Sequence, residues 1–288
     1  MNTIETDGTC KQAQREMSYR ELFDLRGKVA VVTGGVGILG QHFCAGLAES
    51  GAHVVVVDLH AEKAQETAQA LTERYEIGSL GYGCDVSDPI SVQKMVAYVV
   101  AEFGEINILH NNAAGKSDDL DAFFAPFEEY SLEQWRKIMA VNVDGMFLVA
   151  QAIGKQMVFQ GKGGSIIQTA SIYGVMAPDH RIYEGSYYLE RQINTPAVYT
   201  ASKAAVIGLT KHLATYWAEK GIRVNTLTPG GTESGQNDEF KRRYAARIPL
   251  GRMANASEMV GALLYLASDA SSYVTGQNII VDGGLECW

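Results

Sequence analysis

The sequence is poor in cysteine and in positive charge. Its four cysteines, at positions 10, 44, 84 and 287, lie far apart, and no two form a CxxC pair. This spacing indicates neither a zinc ribbon nor a disulfide framework, so a reduced, cytoplasmic location is expected. Lysine and arginine total 24 against 33 acidic residues, which gives a net charge of −9. Because binding a polyanion requires concentrated basic residues, neither nucleic acid nor an anionic membrane is an expected partner.

Other signals are absent as well. The first 24 residues are polar and contain no apolar core, so they are expected to form a loosely ordered N-terminal extension rather than a signal peptide. No later apolar run is expected to reach the ~18 to 20 residues of a membrane span. The six histidines show no HExxH motif or similar clustering. No metal site is therefore expected.

What the sequence does contain is an alternation of short β-branched runs and longer amphipathic ones. The runs KVAVVT, HVVVVD, INILHN, GSIIQTA, GIRVNTL and NIIVDG read as strands, and a further strand is expected over 80–84. Helices are expected near 38–50, 61–75, 91–103, 132–160, 237–247 and 256–268. This order predicts an α/β fold, a single doubly wound Rossmann-like domain over 25–288 with about seven parallel strands flanked by helices.

Residues 175–196 interrupt this rhythm. They fit neither the helical nor the strand period, and they mix charged residues with Tyr183, Tyr187 and Tyr188. Since they precede a helix that carries candidate catalytic residues, we interpret them as an inserted substrate loop, with a solvated surface excursion as the alternative.

The first predicted strand runs directly into the glycine-rich turn TGGVGILG and then into a helix. Gly34, Gly35 and Gly37 line this turn, and Gly40 lets the helix lie close to the sheet. A glycine turn at a helix N-terminus offers backbone amides to phosphate. The pattern therefore predicts a dinucleotide-binding site.

The second strand ends in Asp58, 18 residues after Gly40 (58 − 40). A carboxylate at this place accepts hydrogen bonds from a ribose diol and repels a 2′-phosphate. NAD is therefore favoured over NADP, although Asp58 could instead simply cap the following helix.

At this point the sequence resembles the short-chain dehydrogenase/reductase family, in its compact NAD(P)-dependent branch, over nearly the whole chain. The resemblance is carried by TGGVGILG, CDVSD (84–88), NNAA (111–114), MAVNVDG (139–145), TASIYG (169–174), YTASK (199–203), RVNTLTPGG (223–231) and VDGG (281–284). It implies a nicotinamide cofactor and a catalytic tetrad of Asn142, Ser171, Tyr199 and Lys203.

The resemblance also implies further cofactor contacts. Asp85 and Val86 are expected to hold the adenine, Asn111 and Ala113 to line the cleft, and the Pro229–Gly230 turn to support the nicotinamide. Four more residues are expected to contact the cofactor: Ile38, Leu39, Leu59 and Thr232.

Two features depart from the family pattern. The compact branch usually has TGxxxGxG, whereas here Ile38 replaces the middle glycine and Gly37 gives TGxxGxxG, a spacing shared with sugar-nucleotide epimerases and dehydratases. The gap between Ser171 and Tyr199 is 28 residues (199 − 171), longer than usual, and it contains the inserted loop. A tightly NAD-bound epimerase or dehydratase and a non-catalytic NAD-binding sensor are therefore the alternatives to a dehydrogenase.

Hydride transfer leaves a proton to move, and Tyr199 is the predicted acid and base. Its ordinary pKa of ~10 is too high for a base at neutral pH. Lys203, one helical turn away, is expected to lower that pKa, since a charge pair near 4 Å is worth ~4 kcal/mol at an effective dielectric constant of about 20. Ser171 is expected to bind the substrate oxygen and Asn142 to act as a relay. Tyr216 and Lys220 have the same spacing but lack the neighbouring motif.

The expected substrate is a polar molecule with several hydroxyl groups, such as a sugar, sugar acid or polyol. This expectation rests on charged and polar residues of the loop and of the segment after the fourth strand: Asp179, Arg181, Glu184, Glu190, Arg191, Lys116, Ser117 and Asp118, with His180 as a further possible contact. The resemblance implies a homotetramer or homodimer, with the helices around 142–160 and 200–219 at the subunit contact. Small residues such as Ala204, Ala205 and Gly208 would permit close helix approach.

Overall fold

The fold is seen in a computed structural model that describes residues 18–115, 117, 119–188 and 190–288. Most of the predicted N-terminal extension therefore lies outside the described residues. Its last part includes a short 3₁₀ turn, Glu21–Phe23, which leads to the first strand.

The centre of the molecule is a seven-stranded sheet in which every pair of neighbouring strands is parallel. Its strands are β1 (Val29–Thr33), β2 (His53–Asp58), β3 (Ser79–Gly83), β4 (Ile108–Asn111), β5 (Gly164–Thr169), β8 (Ile222–Pro229) and β9 (Asn278–Val281), and a separate antiparallel pair comprises β6 (Tyr187–Tyr188) and β7 (Arg191–Gln192). The order in the large sheet is β3-β2-β1-β4-β5-β8-β9. The strand order thus reverses direction between β1 and β4, where open α/β sheets bind ligands.

Helices connect the strands and cover the sheet. They are α1 (Ile38–Glu49), α2 (Ala61–Tyr75), α3 (Pro89–Phe103), α4 (Leu120–Phe123), α5 (Leu132–Met139), α6 (Met146–Gln160), α7 (Ala197–Tyr216), α8 (Asp238–Ala245) and α9 (Val260–Ala267). The predicted α/β, doubly wound fold is confirmed, and the strands lie where their β-branched runs indicated.

The valine-rich strands explain the two-sided core. Successive side chains of a strand point to opposite faces of the sheet. Ala30 and Val32 accordingly pack on one face with α1 and α9, whereas Val29 and Val31 pack on the other with α3 and α6. Because both faces are covered, a continuous apolar run rather than an alternating one marks these strands.

The predicted long helix over 132–160 is continuous but not uniform. Ser131 caps its start by accepting a hydrogen bond from the Gln134 backbone N–H, and α5 passes into α6 through a π-helical segment, Ala140–Gly145. By length and composition this stretch, Leu132–Gln160, could span a membrane, which corrects the expectation that no apolar run does so. Val149, Ile153 and Met157 pack against the sheet, as in a core helix of a globular protein.

The inserted loop is more ordered than its sequence indicated. It contains a 3₁₀ turn, His180–Tyr183, followed by the β6–β7 pair. The Tyr183 ring stacks on Phe240 of α8 at 5.6 Å between ring centres, and Asn237 donates a hydrogen bond to the Gly185 carbonyl. The loop therefore lies against α8 instead of projecting into solvent.

Candidate active site

A cleft runs along the carboxyl ends of the central strands. Its floor is the turn between β1 and α1, where the backbone N–H groups at the start of α1 are free to bind an anion. Gly34 has a positive φ of 65°, and a Cβ there would approach Ala113 Cα within 2.9 Å. A Cβ on Gly40 would overlap the Gly34 carbonyl oxygen, so only glycine lets α1 lie this close to the turn.

Asp58 lies at the far end of the cleft. One carboxylate oxygen accepts a hydrogen bond from the Val36 backbone N–H and the other from the His60 backbone N–H, each at 3.3 Å. These long bonds fix the carboxylate and leave acceptor positions on both oxygens for a diol. The Thr232 hydroxyl, which also lines the cleft, is buried and has no hydrogen-bond partner in the described part of the chain. Together with the glycine turn and the Asp58 carboxylate, it fits a nicotinamide dinucleotide.

The structure brings most of the predicted cofactor residues to this cleft. They are Gly34, Gly37, Ile38, Leu39, Asp58, Tyr199, Lys203, Pro229, Gly230 and Thr232. Ile38 starts α1 and is half-exposed at the position where the family pattern has glycine. Gly37, the middle glycine of the TGxxGxxG spacing, could carry a small side chain. Among the described atoms, a Cβ there would meet only the Gly34 carbonyl oxygen, at 3.3 Å, a contact that a small shift relieves.

Three residues that were predicted to contact the cofactor pack against the residues that line the cleft. Gly35 faces inward, where a Cβ would meet Val56 Cγ1 at 2.7 Å. Asn111 is buried in the sheet and donates to the Met146 carbonyl at 2.8 Å and to Gln168 at 3.0 Å. Ala113 packs against Gly34 and donates its N–H to the Thr33 hydroxyl at 3.0 Å. None of the three lines the cleft as Gly34 does, and their contact with the cofactor stays a prediction.

The cleft surface is formed instead by Asn112 and Ala114. Asn112 donates its side-chain amide to the carbonyls of Thr33 and Gly34 at 3.2 and 3.3 Å, which ties β4 to the glycine turn. The motif NNAA pointed to this segment. Because neighbouring side chains alternate between the sheet interior and the cleft, a shift of one residue exchanges the two asparagines.

The predicted adenine contacts lie beyond the cleft. Asp85 accepts hydrogen bonds from the Ser87 backbone N–H at 2.9 Å and the Ser87 hydroxyl at 2.6 Å, so it shapes the turn after β3. Val86 is buried beneath Gly145, and Leu59 is exposed after β2. Their roles toward adenine stay predictions.

A second cavity joins the cleft at Ser171 and Tyr199, which line both. Ser171 lies just beyond the end of β5, and Tyr199 lies in the first turn of α7. This junction is where a group bound in one cavity meets a group bound in the other. The predicted proton donor and oxygen-binding hydroxyl thus lie where the two cavities meet, a junction that Gly230, Thr232 and Ser234 also line.

The surroundings of Tyr199 include both its burial and the nearby cation of Lys203. Burial raises the pKa of Tyr199 above its ordinary value, and an interaction with the Ser171 side chain acts in the opposite direction. Lys203 Nζ lies 5.8 Å from the centre of the Tyr199 ring. Because desolvation opposes any lowering of the Tyr199 pKa by this cation, the lowering stays a prediction.

Lys203 itself is buried and held by a backbone group. Its Nζ donates to the Thr169 carbonyl at 3.1 Å, and burial lowers the pKa of its ammonium group to about 8. The ammonium group of Lys203 therefore lies at the wall of the cleft and is bound to the end of β5. The other Tyr–Lys pair with this spacing, Tyr216 and Lys220, lies away from the cleft, since Tyr216 is exposed and stacks on His212.

Asn142 lies in the π-helical segment and is fully buried. Its side-chain oxygen accepts a hydrogen bond from the Gly115 N–H at 2.8 Å, and its nitrogen donates to the Ser202 hydroxyl at 3.3 Å. Ser202 in turn donates to the Tyr199 carbonyl at 2.8 Å. Asn142 thus links the loop after β4 to the catalytic turn of α7, next to Lys203, and π-helical segments are frequent at functional sites.

A buried histidine, which the sequence did not single out, supports the strand end that holds Lys203. His110 Nε2 lies 2.8 Å from the Thr169 hydroxyl, and the His110 ring meets Phe43 edge-on. Burial lowers the pKa of His110 to about 3, so the ring is neutral at physiological pH. Only the three-dimensional pairing of β4 with β5 shows this contact.

The second cavity is small, with a volume of about 280 Å³, at the lower end of the ~300–1,000 Å³ typical of drug-sized ligand sites. Its lining is aromatic and neutral polar: Phe123, Phe124, Ser171, Ile172, Tyr173, Ile193, Asn194, Thr195, Pro196, Tyr199, Gly230, Gly231, Thr232, Ser234, Gln236, Phe240, Tyr244 and Met253. The inserted loop thus contributes its end, 193–196, to this pocket.

The charged loop residues do not line the pocket. Asp179 pairs with Arg181 at 2.7 Å, and Glu184 pairs with Arg243 of α8 at 3.2 Å. These charges join the loop to itself and to α8, so their predicted contact with substrate was wrong. His180 and Glu190 are exposed outside the pocket, and Ser117 donates to Gln134 at 3.2 Å.

Three of the predicted substrate contacts lie outside the description. Lys116, Asp118 and the side chain of Arg191 belong to the undescribed parts of the chain. In the remainder of the chain, no group of three or more His, Cys, Asp and Glu residues is arranged to hold a metal ion.

Known proteins that resemble this chain are dehydrogenases and reductases. Residues 36–286 match the family model described as enoyl-(acyl carrier protein) reductase. D-threitol dehydrogenase of Mycolicibacterium smegmatis is 38% identical over 283 residues, covering 95% of this chain and 98% of that protein.

Solved structures show the same likeness. A short-chain type dehydrogenase/reductase from Mycobacterium marinum is 37% identical with a TM-score of 0.82, over 94% of this chain and 100% of that one. A gluconate 5-dehydrogenase from Burkholderia cenocepacia, in complex with NADP and tartrate, is 33% identical with a TM-score of 0.82, over 93% of this chain and 98% of that one.

Proposed function

The chain belongs to the short-chain dehydrogenase/reductase family, and from this we propose that it is an NAD-dependent oxidoreductase that interconverts a secondary alcohol and a ketone of a small polyol or sugar. The observation that carries the proposal is the junction at Tyr199 and Ser171, which line both the dinucleotide cleft and the small pocket. The D-threitol dehydrogenase among its relatives supports a polyhydroxy substrate.

The nicotinamide ring, when bound, supplies or takes up the hydride. The protein's own part is to hold the substrate oxygen and to move a proton. Ser171 donates a hydrogen bond to that oxygen, and Tyr199 Oη gives it a proton during ketone reduction or removes one during alcohol oxidation. Because burial keeps the Tyr199 pKa high, the phenol holds its proton at neutral pH and is ready to act as the acid. Lys203 at the cleft wall stabilises the phenolate that this transfer leaves.

The experiment that tests the function is a substrate screen. Purified protein is mixed with NAD⁺ or NADP⁺ and a panel of tetritols, pentitols, hexitols, sugars and sugar acids, and the absorbance of the reduced cofactor is followed. Steady cofactor reduction with a polyol or sugar supports the proposal. A tightly bound NAD with isomerised or dehydrated sugar and no net cofactor consumption would instead identify an epimerase or dehydratase.

We propose NAD rather than NADP because of Asp58. Replacing it by asparagine (Asp58→Asn) keeps an acceptor for one of the two neighbouring backbone N–H groups and removes the negative charge that would face a 2′-phosphate. The interaction of two charges about 4 Å apart is worth about 1 kcal/mol in water and about 4 kcal/mol near a protein surface. Removing this repulsion is therefore expected to raise the ratio of kcat/KM for NADP⁺ to that for NAD⁺ roughly 10- to 100-fold.

Asp85→Asn is the matched control, since that carboxylate caps the Ser87 turn and the adenine is common to both cofactors. It is expected to leave the ratio unchanged. An Asp58→Asn enzyme with the wild-type ratio would show that another group selects the cofactor.

We also propose that the protein is a homodimer or homotetramer through α6 and α7. Phe147 and Phe159 of α6 are exposed, at 44% and 85%, and Ala204 and Gly208 are exposed on α7. Among the described residues, no atom lies within 4 Å of a Cβ placed on Gly208, which leaves room for a partner helix. Sedimentation is expected to show a dimer or tetramer that Phe159→Glu dissociates. A monomeric wild-type protein would contradict this assembly.

A cytoplasmic location is part of the proposal. Cys44, Cys84 and Cys287 are free thiols, and this state is the usual one in a reducing compartment.

A further inference from the structure

One residue on the wall of the small pocket carries a buried hydrogen-bond acceptor that has no partner among the described residues. Asn194 lines this pocket together with Ser171 and Tyr199. Its side-chain oxygen is shielded from solvent and makes no hydrogen bond with any described residue. Buried polar side-chain atoms are usually paired, so this atom is a candidate for contact with a ligand.

The orientation of the Asn194 amide is fixed by its other end. The side-chain nitrogen donates to the Phe124 carbonyl at 2.8 Å. A carbonyl only accepts hydrogen bonds, so the nitrogen must face Phe124, and the assignment of the amide oxygen follows from this contact.

The backbone on both sides of Asn194 is also held in place. Ile193 is buried, and its N–H donates to the Ser186 carbonyl at 3.1 Å. The Thr195 hydroxyl is 2.5 Å from the Tyr183 hydroxyl, and Tyr183 stacks on Phe240. The inserted loop therefore presents the Asn194 oxygen on a rigid support, as preorganised recognition requires.

We propose that the Asn194 side-chain oxygen accepts a hydrogen bond from a second hydroxyl group of the substrate, other than the hydroxyl that is oxidised. The inference rests on the proposed function, in which Ser171 and Tyr199 already bind the reacting oxygen. A lone acceptor at this place selects substrates by chemical class. A neutral polyol or ketose can donate a hydrogen bond to it, whereas a carboxylate or ether oxygen cannot.

The rest of the pocket agrees with a neutral ligand. Phe123, Phe124 and Phe240 form much of its wall, and the nearby loop charges pair with one another or with α8. A substrate that lacks the second hydroxyl leaves the Asn194 oxygen unpaired in this enclosed site. Such a mismatch is expected to lower kcat/KM roughly 10- to 100-fold, as is typical when a buried acceptor loses its partner.

The test combines a change in the protein with a change in the substrate. D-threitol, D-arabinitol and their mono-deoxy analogues, each lacking one hydroxyl other than the one oxidised, are assayed with NAD⁺ and wild type or Asn194→Ala. The variant is expected to lose roughly 10- to 100-fold in kcat/KM on the parent polyol and less than about 2-fold on one deoxy analogue. An equal loss on the parent and on every deoxy analogue would overturn the proposal, because a merely structural role affects all substrates alike.

Two further variants distinguish the loss of this hydrogen bond from a general disturbance of the fold. Asn194→Gln keeps both the acceptor oxygen and the donor nitrogen, and it is expected to retain part of the preference for the parent polyol that Asn194→Ala loses. Asn237→Ala also removes an amide that donates to a loop carbonyl, that of Gly185, but Asn237 lies outside the pocket and its oxygen caps α8. If Asn237→Ala abolishes the discrimination as Asn194→Ala does, loop anchoring explains the effect and the proposal fails.

Failure of the inference can be told apart from failure of the proposed function. A wild-type enzyme that oxidises polyols but treats parent and deoxy compounds alike contradicts only the role of Asn194. A wild-type protein that oxidises no polyol or sugar contradicts the proposed function itself, and the role of Asn194 falls with it.

Discussion

Phenylalanine in place of Tyr199 is expected to lower kcat about 1,000-fold, since a positioned acid or base contributes typically 10²- to 10⁴-fold. The substitution removes the only hydroxyl of the ring and keeps the ring itself, which packs beside Ser171 at the junction of the two cavities. Binding of NADH, followed by its fluorescence, is expected to stay within about 3-fold of wild type, because the glycine turn and Asp58, which are expected to hold most of the dinucleotide, are unchanged.

Tyr216→Phe is the matched control for this experiment. Tyr216 precedes Lys220 at the same spacing as Tyr199 precedes Lys203, yet it is exposed on the surface, so the control is expected to keep full activity. Full activity in Tyr199→Phe would remove the acid/base mechanism. A retained biological effect without turnover would favour an NAD-binding sensor.

Alanine at position 40 is expected to have the largest effect on the fold. Its Cβ would overlap the Gly34 carbonyl oxygen and lie 2.9 Å from Gly35 Cα, and both are backbone atoms that no side-chain rotation can move away. Forcing such a group into a packed site typically costs 1–3 kcal/mol and occasionally more. Gly40→Ala is therefore expected to lower the free energy of unfolding by about 3 kcal/mol and to abolish NAD binding, as chemical unfolding and calorimetric titration would show.

The neighbouring glycine provides the control. At Gly37 the new methyl group would meet only the Gly34 carbonyl oxygen, at 3.3 Å, and φ there is −69°, a value open to any residue. Gly37→Ala is expected to cost less than about 1 kcal/mol and to retain cofactor binding. Equal stability of the two variants would mean that α1 can move away from the turn, contrary to the packing described here.

The glycine turn shows how far sequence reasoning reached. A strand, a glycine-rich turn and a helix predicted a phosphate-binding floor, and the special role of Gly40 followed from the need for close helix packing. The fold class and the positions of the strands were also predictable, because β-branched runs and helical spacing are properties of the local chain.

Local sequence patterns could not decide which of two neighbouring residues of the same type faces the cleft. Asn111 and Asn112 are chemically identical, and only the register of β4 against β1 and β5 puts the first in the sheet and the second on the cleft. The charged residues of the inserted loop gave a similar error. Their charge indicated a polar contact, but the partners of Asp179 and Glu184 lie in the loop itself and in α8.

The sequence by itself determined the fold class, the glycine turn and the Asp58 strand end, because each depends on residue type and on spacing within one segment. The tetrad of Asn142, Ser171, Tyr199 and Lys203 was expected from the resemblance to the family. Only the tertiary structure decided the pKa of Tyr199 and the partners of the loop charges, and it alone left the Asn194 oxygen unpaired at the pocket wall. Burial and hydrogen bonding depend on segments far apart in the chain. Such contacts are absent from any local pattern and arise when the sheet, the loop and α8 pack together.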